Sequence, residues 1–228
     1  MSSVKEKKQK EEIVKAESAQ IITGQANNGG FVASLEDVDI PRLNVIQKMS
    51  SIEGPVGGVV IDKSEVLFEK GERVDVIIGH TKKGWRENVP YAMDEMPRMA
   101  WNESERTKIE NDSEYGRMVV FADITFLVPQ PKDADGGDGG NDIHQYPIGG
   151  QNYALGVINV SKDGYKFTYK KLNTFQLFNS TLPISAKVWS FGTELITKGQ
   201  HSWFVPTLKP TSKNAPEEAV AFSQLLNS

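Results

Sequence analysis

From Val38 onward, apolar and polar positions alternate with the two-residue period of half-buried strands over residues 43–47, 59–61, 66–68 and 74–78. Gly57-Gly58 and Lys70-Gly71 supply turn chemistry between these stretches, and Ile40-Pro41 forces an extended entry. The longest such pattern covers residues 117–128. Met118, Val120, Ala122, Ile124, Phe126 and Val128 share one face there, and Val119, Phe121 and Leu127 share the other. Two apolar faces predict a central strand, ending at Pro129-Gln130-Pro131. Further strands are predicted over 153–160, 165–172, 184–191 and 202–208, separated by Lys162-Asp163-Gly164, residues 179–183 and Lys198-Gly199.

Two segments read as helix. Between residues 94 and 116, Met96, Met99 and Trp101 are followed by Glu103, Glu105, Arg106, Lys108, Glu110 and Asp112, which suits a short helical insertion between two sheet-forming halves. Residues 215–226 predict an amphipathic helix, with Pro216 at its start, Glu217 and Glu218 in the first turn where the dipole favours anions, and Val220, Leu225 and Leu226 as its apolar residues. Together these patterns predict one mostly β domain over residues 31–228, a curved sheet or barrel of eight or nine strands. Residues 1–30 mix lysine and glutamate with few apolar positions, so they read as a disordered or fraying charged tail. The acidic, glycine-rich stretch 132–142 reads as a flexible connection. It lacks the closing glutamate of a calcium loop, and as a mobile anion it can compete with other anions for any basic surface beside it.

Composition removes several classes of function. With no cysteine there is no disulfide framework, thiol catalysis or thiolate zinc site, and His80, His144 and His201 lie in three separate segments, so no metal or other cofactor is expected. No run of 18 apolar residues occurs and the first residues are rich in lysine and glutamate, which predicts neither a membrane span nor a secretory signal, and hence a cytoplasmic protein. The net charge of −4 conceals a strong asymmetry. From Tyr146 to Lys213 eight lysines stand against Asp163 and Glu194, a net +6 that leaves −10 for the rest of the chain. The same segment holds 11 of the 20 aromatic residues. Lysines interleaved with aromatics suit a single-stranded nucleic acid, because ammonium groups neutralise phosphates while exposed rings stack on bases of any sequence.

The alternation names candidate residues. In 184–191, Ile184, Ala186 and Val188 share one face, and Ser185, Lys187, Trp189 and Phe191 share the other; with the first face inward, Trp189 and Phe191 stand outward beside Lys187. In 165–172, Tyr165, Phe167 and Tyr169 alternate with Lys166 and Lys170. These residues, with Lys171 and Lys198, form the expected nucleic-acid-binding set. For any one strand a row of aromatics is more often core, and the functional reading gains from its repetition on several strands. Trp203 reads as an inward residue of the last strand, with Trp189 the preferred stacking platform. Asp75 with Lys82, or Asp123 with Glu194 and Lys198, could be assembled into a nuclease-like set, but no tight motif joins them. There is no nucleophile elbow, phosphate loop or dinucleotide fingerprint, so no enzyme is expected.

The stretch Asn152-Tyr153-Ala154-Leu155-Gly156, the run Tyr169-Lys170-Lys171-Leu172-Asn173-Thr174-Phe175-Gln176-Leu177-Phe178, and Trp189-Ser190-Phe191-Gly192-Thr193-Glu194-Leu195 resemble proteins encoded in bacteriophage genomes, over about residues 38–208. In size and in its basic, aromatic β half the chain resembles phage single-stranded DNA-binding proteins. That resemblance implies an oligonucleotide-binding (OB-like) barrel or curved sheet and a dimer or cooperative oligomer. It also implies sequence-independent binding of single-stranded DNA in phage replication or recombination within the host cytoplasm, and an acidic C-terminal tail that recruits replication or recombination proteins. The chain departs from this pattern at its end: Glu217 and Glu218 are the only acids in the last dozen residues, which leaves 132–142 as the candidate for recruitment. The expectation is a non-enzymatic single-stranded DNA-binding protein. A phage structural or interaction protein whose aromatic face is a subunit interface is the alternative, and a metal-dependent nuclease the third reading.

Overall fold

In the computed structural model, residues 39–130 and 143–227 are described, apart from 64, 91 and 94; the predicted tail 1–30 and the acidic stretch 132–142 lie outside the described residues. The described chain is mostly β, as the periodicity predicts. Strands β1 (Leu43–Val45), β2 (Val59–Ile61) and β3 (Glu65–Phe68) form a small antiparallel sheet in that order. A seven-stranded antiparallel sheet comprises β4 (Arg73–Arg86), β5 (Met99–Ala100), β6 (Val119–Pro129), β7 (Tyr146–Ile148), β8 (Gln151–Ser161), β9 (Lys187–Lys198) and β10 (His201–Asn214). Its order is β10-β9-β4-β6-β8-β7, with β5 paired to β4. The strand predicted as central, β6, lies between β4 and β8 and is buried on both faces.

One face of the large sheet, carrying Val76, Ile124, Phe126 and Phe191, closes on Val59, Ile61 and Phe68 of the small sheet. Leu43 packs where Gly156 has no side chain; a Cβ there would lie 2.9 Å from the leucine. The opposite face carries Ile77, Leu127, Leu155 and Val188 beneath the C-terminal helix α4 (Glu217–Leu225). This is the predicted terminal helix with a different buried face: Ala219 and Ser223 are buried, while Leu225 is exposed. The predicted insertion helix is α1 (Glu103–Asp112). Asn102 caps it by accepting the Glu105 N–H through Oδ1 at 2.9 Å, and it covers a third cluster of Trp85, Ala100 and Met118 through Ile109.

The sheet is open. Its two ends, β10 and β7, do not pair, so of the two predicted forms the curved sheet, and not the barrel, is compatible with the topology. Helix α2 (Lys162–Phe167) bridges the separation between β8 and β10: a Cβ on Gly164 would meet Pro206 at 3.4 Å and Val160 at 3.7 Å. No helix among the described residues is long and apolar enough to cross a membrane.

Two predicted strands need correction. Residues 165–172 are not a strand but lie within α2 and α3 (Tyr169–Phe178). Tyr165, Phe167 and Tyr169 mimic a two-residue period, yet Tyr165, Thr168, Tyr169 and Leu172 also fall at the i, i+3, i+4, i+7 spacing of a helix face. That face wins: Tyr165, Thr168 and Leu172 are buried and the two tyrosine rings stack at 5.1 Å. In 184–191 the first three residues form a 3-10 turn (Ile184–Ala186), and β9 begins at Lys187. Val188 is buried as expected, but the face expected outward is buried too. Trp189 and Phe191 are fully buried, with Phe175 edge-on to Trp189 at 5.2 Å and Phe68 and Phe126 against Phe191. Alternation identifies residues that share a face without saying which face is inside, and the largest apolar surfaces gain most from burial.

Candidate nucleic-acid interface

β8 pairs with β7 only at Gln151–Tyr153; beyond that, among the described residues, its outer edge is bridged at Val157, whose N–H donates to the Pro41 carbonyl at 2.9 Å. The outer edge of β10 faces it across the opening. There the Gln47 side chain acts as a one-residue strand: its Nε2 donates to the Phe204 carbonyl and its Oε1 accepts the Phe204 N–H, each at 2.8 Å. Between the two edges lies a groove of about 440 Å³. Arg42, Asn44 and Gln47 line one side, Asn159, Ser161, Lys162 and Asp163 the second, and Trp203 to Pro206 the third.

Three cations serve this groove. Arg42 and Lys162 are exposed on its rim, and the Lys198 ammonium lies 5.5 Å from the ring centre of half-buried Trp203. Lys198 also pairs with Asp163, at 2.8 and 3.0 Å from the two carboxylate oxygens. Lys162 holds its backbone at φ 50°, in the left-handed region, which turns the chain from the end of β8 straight into α2. This conformation costs a non-glycine residue on the order of 1 kcal/mol and is maintained by the packing around it. Chemically, the groove offers cations spaced along its walls, amide and hydroxyl groups, and one accessible indole.

The chain matches no protein-family model, no curated protein and no solved structure.

The expected binding residues divide into three groups. Tyr165, Trp189 and Phe191 are core, and burial pushes the Tyr165 phenol upward in pKa, with Tyr169 adding to the shift. Lys166, Lys170 and Lys171 are exposed on α2 and α3, where Tyr169 and Phe167 are half-buried; Lys166 lies 5.4 Å from the Phe167 ring, and Phe167 and Lys171 line a shallow hollow with Glu194 and Lys209. Lys187 is half-buried and donates to Asn214 Oδ1 at 2.6 Å. Only Lys198 reaches the groove rim. Arg42, Lys162 and Trp203 lie outside the expected set: Lys162 occupies a predicted turn, Trp203 reads as inward, and no local pattern marks Arg42.

The nuclease-like sets are not assembled. Asp75 pairs with Lys213 at 2.6 Å, Asp123 accepts from Asn159 at 2.7 Å, Glu194 pairs with Lys209 at 3.0 Å, and Lys198 belongs to Asp163. No cluster of three or more His, Asp or Glu suited to a metal ion occurs among the described residues. His144 is buried with neither ring nitrogen hydrogen-bonded, and desolvation lowers its pKa.

Proposed function

We propose that this protein binds single-stranded DNA without sequence preference, non-enzymatically, along the groove between the β8 and β10 edges. The observation that carries the reading is Trp203, half-buried in the wall of a groove whose rim holds Arg42, Lys162 and Lys198. An indole stacks on any unpaired base, and three cations against one carboxylate favour a polyanion. The groove replaces the outward face of β9 as the stacking site, while the lysines of α2 and α3 extend the basic surface. As the phage resemblance implies, the role is in replication or recombination.

The test is fluorescence anisotropy with a labelled dT oligomer and a matched duplex over a range of salt. Preference for the single strand, an affinity that falls steeply with salt, and a loss of roughly 1–3 kcal/mol in Trp203→Ala are expected. Equal affinity for both forms, or no binding at low salt, contradicts the reading.

One observation favours the subunit-interface alternative: Leu177 and Phe178 are 76% and 80% exposed at the end of α3, with Leu182 also exposed nearby. An apolar patch of this kind suits self-association, which is insensitive to salt where DNA binding is not.

A further inference from the structure

The face of the large sheet that carries Ile77 and Leu127 is covered by α4 over only part of its length. Towards the Arg86 end, two cross-strand rows continue on that face: Lys82, Asp123, Asn159, and Gly84, Phe121, Ser161. Lys82 and Asn159 are exposed. Trp101, which follows β5, lies across the second row, 40% exposed, and fits there because Gly84 has no side chain: a Cβ would lie 2.9 Å from the indole and 2.9 Å from Phe121. Phe121 meets the indole edge-on at 5.3 Å, the Lys82 ammonium is 4.4 Å from its ring centre, and the Trp101 backbone N–H donates to a Glu105 carboxylate oxygen at 2.8 Å. An exposed tryptophan is thus held in place on rigid strands with a cation at its ring.

This patch is continuous with the groove. Asn159 and Ser161 belong to both, and Arg86 spans the join by donating to Ser161 Oγ at 3.1 Å. From β8 to β4 is two strand spacings, about 10 Å. We infer that Trp101 and Lys82 form a second stacking station for the same single strand, which leaves the groove at Ser161, passes Arg86 and places a further base on the Trp101 indole. The inference rests on the groove reading and extends its path. With Lys82 at its ring and Arg86 at the join with the groove, against Asp123, which accepts from Asn159, the indole suits a nucleobase with its phosphates better than an apolar protein surface.

The experiment measures binding of labelled dT6 and dT20 to the wild type, Trp101→Ala, Trp203→Ala and Lys82→Gln. The station predicts that Trp203→Ala weakens both oligomers about tenfold, whereas Trp101→Ala leaves dT6 within twofold and weakens dT20 about tenfold. Lys82→Gln, at an exposed position where it removes the ammonium from the Trp101 ring and keeps most of the side-chain length, lowers the salt slope by a little under one for dT20 alone, and decides the matter if Trp101→Ala fails to fold. Unchanged dT20 affinity in Trp101→Ala and Lys82→Gln, with the Trp203→Ala loss intact, overturns the station and leaves the groove standing. A Trp101→Ala variant that keeps its DNA affinity and loses self-association in sedimentation overturns it in favour of a protein interface. Failure of the wild type to bind either oligomer overturns the groove reading itself.

Discussion

Trp189 and Trp203 lie on neighbouring strands, yet their environments assign them opposite roles. Trp189 has no exposed surface and donates its indole N–H to the Ile184 carbonyl at 3.3 Å, so Trp189→Ala should cost about 3–5 kcal/mol, read as a lowered thermal or denaturant midpoint. Trp203→Ala, at the groove, should cost far less stability while reducing DNA affinity. Lys162 offers a sharper separation of the two effects. Replacing it with glycine removes the side-chain penalty of its left-handed backbone and also removes a cation from the groove rim. Lys162→Gly should therefore keep its stability or gain up to about 1 kcal/mol while its DNA salt slope falls by a little under one. A large loss of stability in this variant would show that the side chain has a packing role.

At the scale of elements, an ion-paired contact ties the insertion between β4 and β6 to the end of β4. Glu87 is buried, and Arg98 donates to it from Nη2 at 2.8 Å and from its backbone N–H at 2.9 Å, while another Arg98 nitrogen reaches Asp112 of α1 at 2.6 Å. The Arg98 hydrogen bonds hold the Glu87 carboxyl down at about 2, against an ordinary 4.5. A depressed carboxyl stabilises the fold fully above its ordinary range, and that contribution disappears as pH falls from about 4.5 towards 2. Glu87→Gln should accordingly melt lower than the wild type at neutral pH, by about 2 kcal/mol, with the gap closing below pH about 4. A gap independent of pH would assign the loss to packing.

The elements also show why some of this was legible and some was not. β6 is legible because apolar residues fill both of its faces, and α4 because Pro216, Glu217 and Glu218 mark its start. Residues 165–172 satisfied both periods, and the choice between them lay in contacts with distant strands: Tyr165 and Leu172 enter the core that Phe126 and Phe191 build. The groove was legible only as an excess of lysine and aromatic residues, since its walls come from residues 42–47, 157–164 and 203–206, which only the tertiary fold brings together.

Across the whole molecule, the open sheet has two ends treated in different ways. β7 is three residues long, and β10 carries Pro206 and Pro210 together with the Gln47 side chain bonded to Phe204, all of which discourage pairing with another strand. Self-association is therefore expected through the apolar surface at Leu177 and Phe178 and not through a shared sheet; Phe178→Ser should shift sedimentation towards the monomer without altering the affinity of a short dT oligomer for the groove. The central claim, that single-stranded DNA lies between the β8 and β10 edges, is tested most directly by backbone hydrogen exchange with and without a dT oligomer. The account predicts slowed exchange concentrated in residues 42–50, 157–164 and 198–206, absent with a matched duplex of equal length. Slowing confined to other segments, or the same slowing with the duplex, would contradict it.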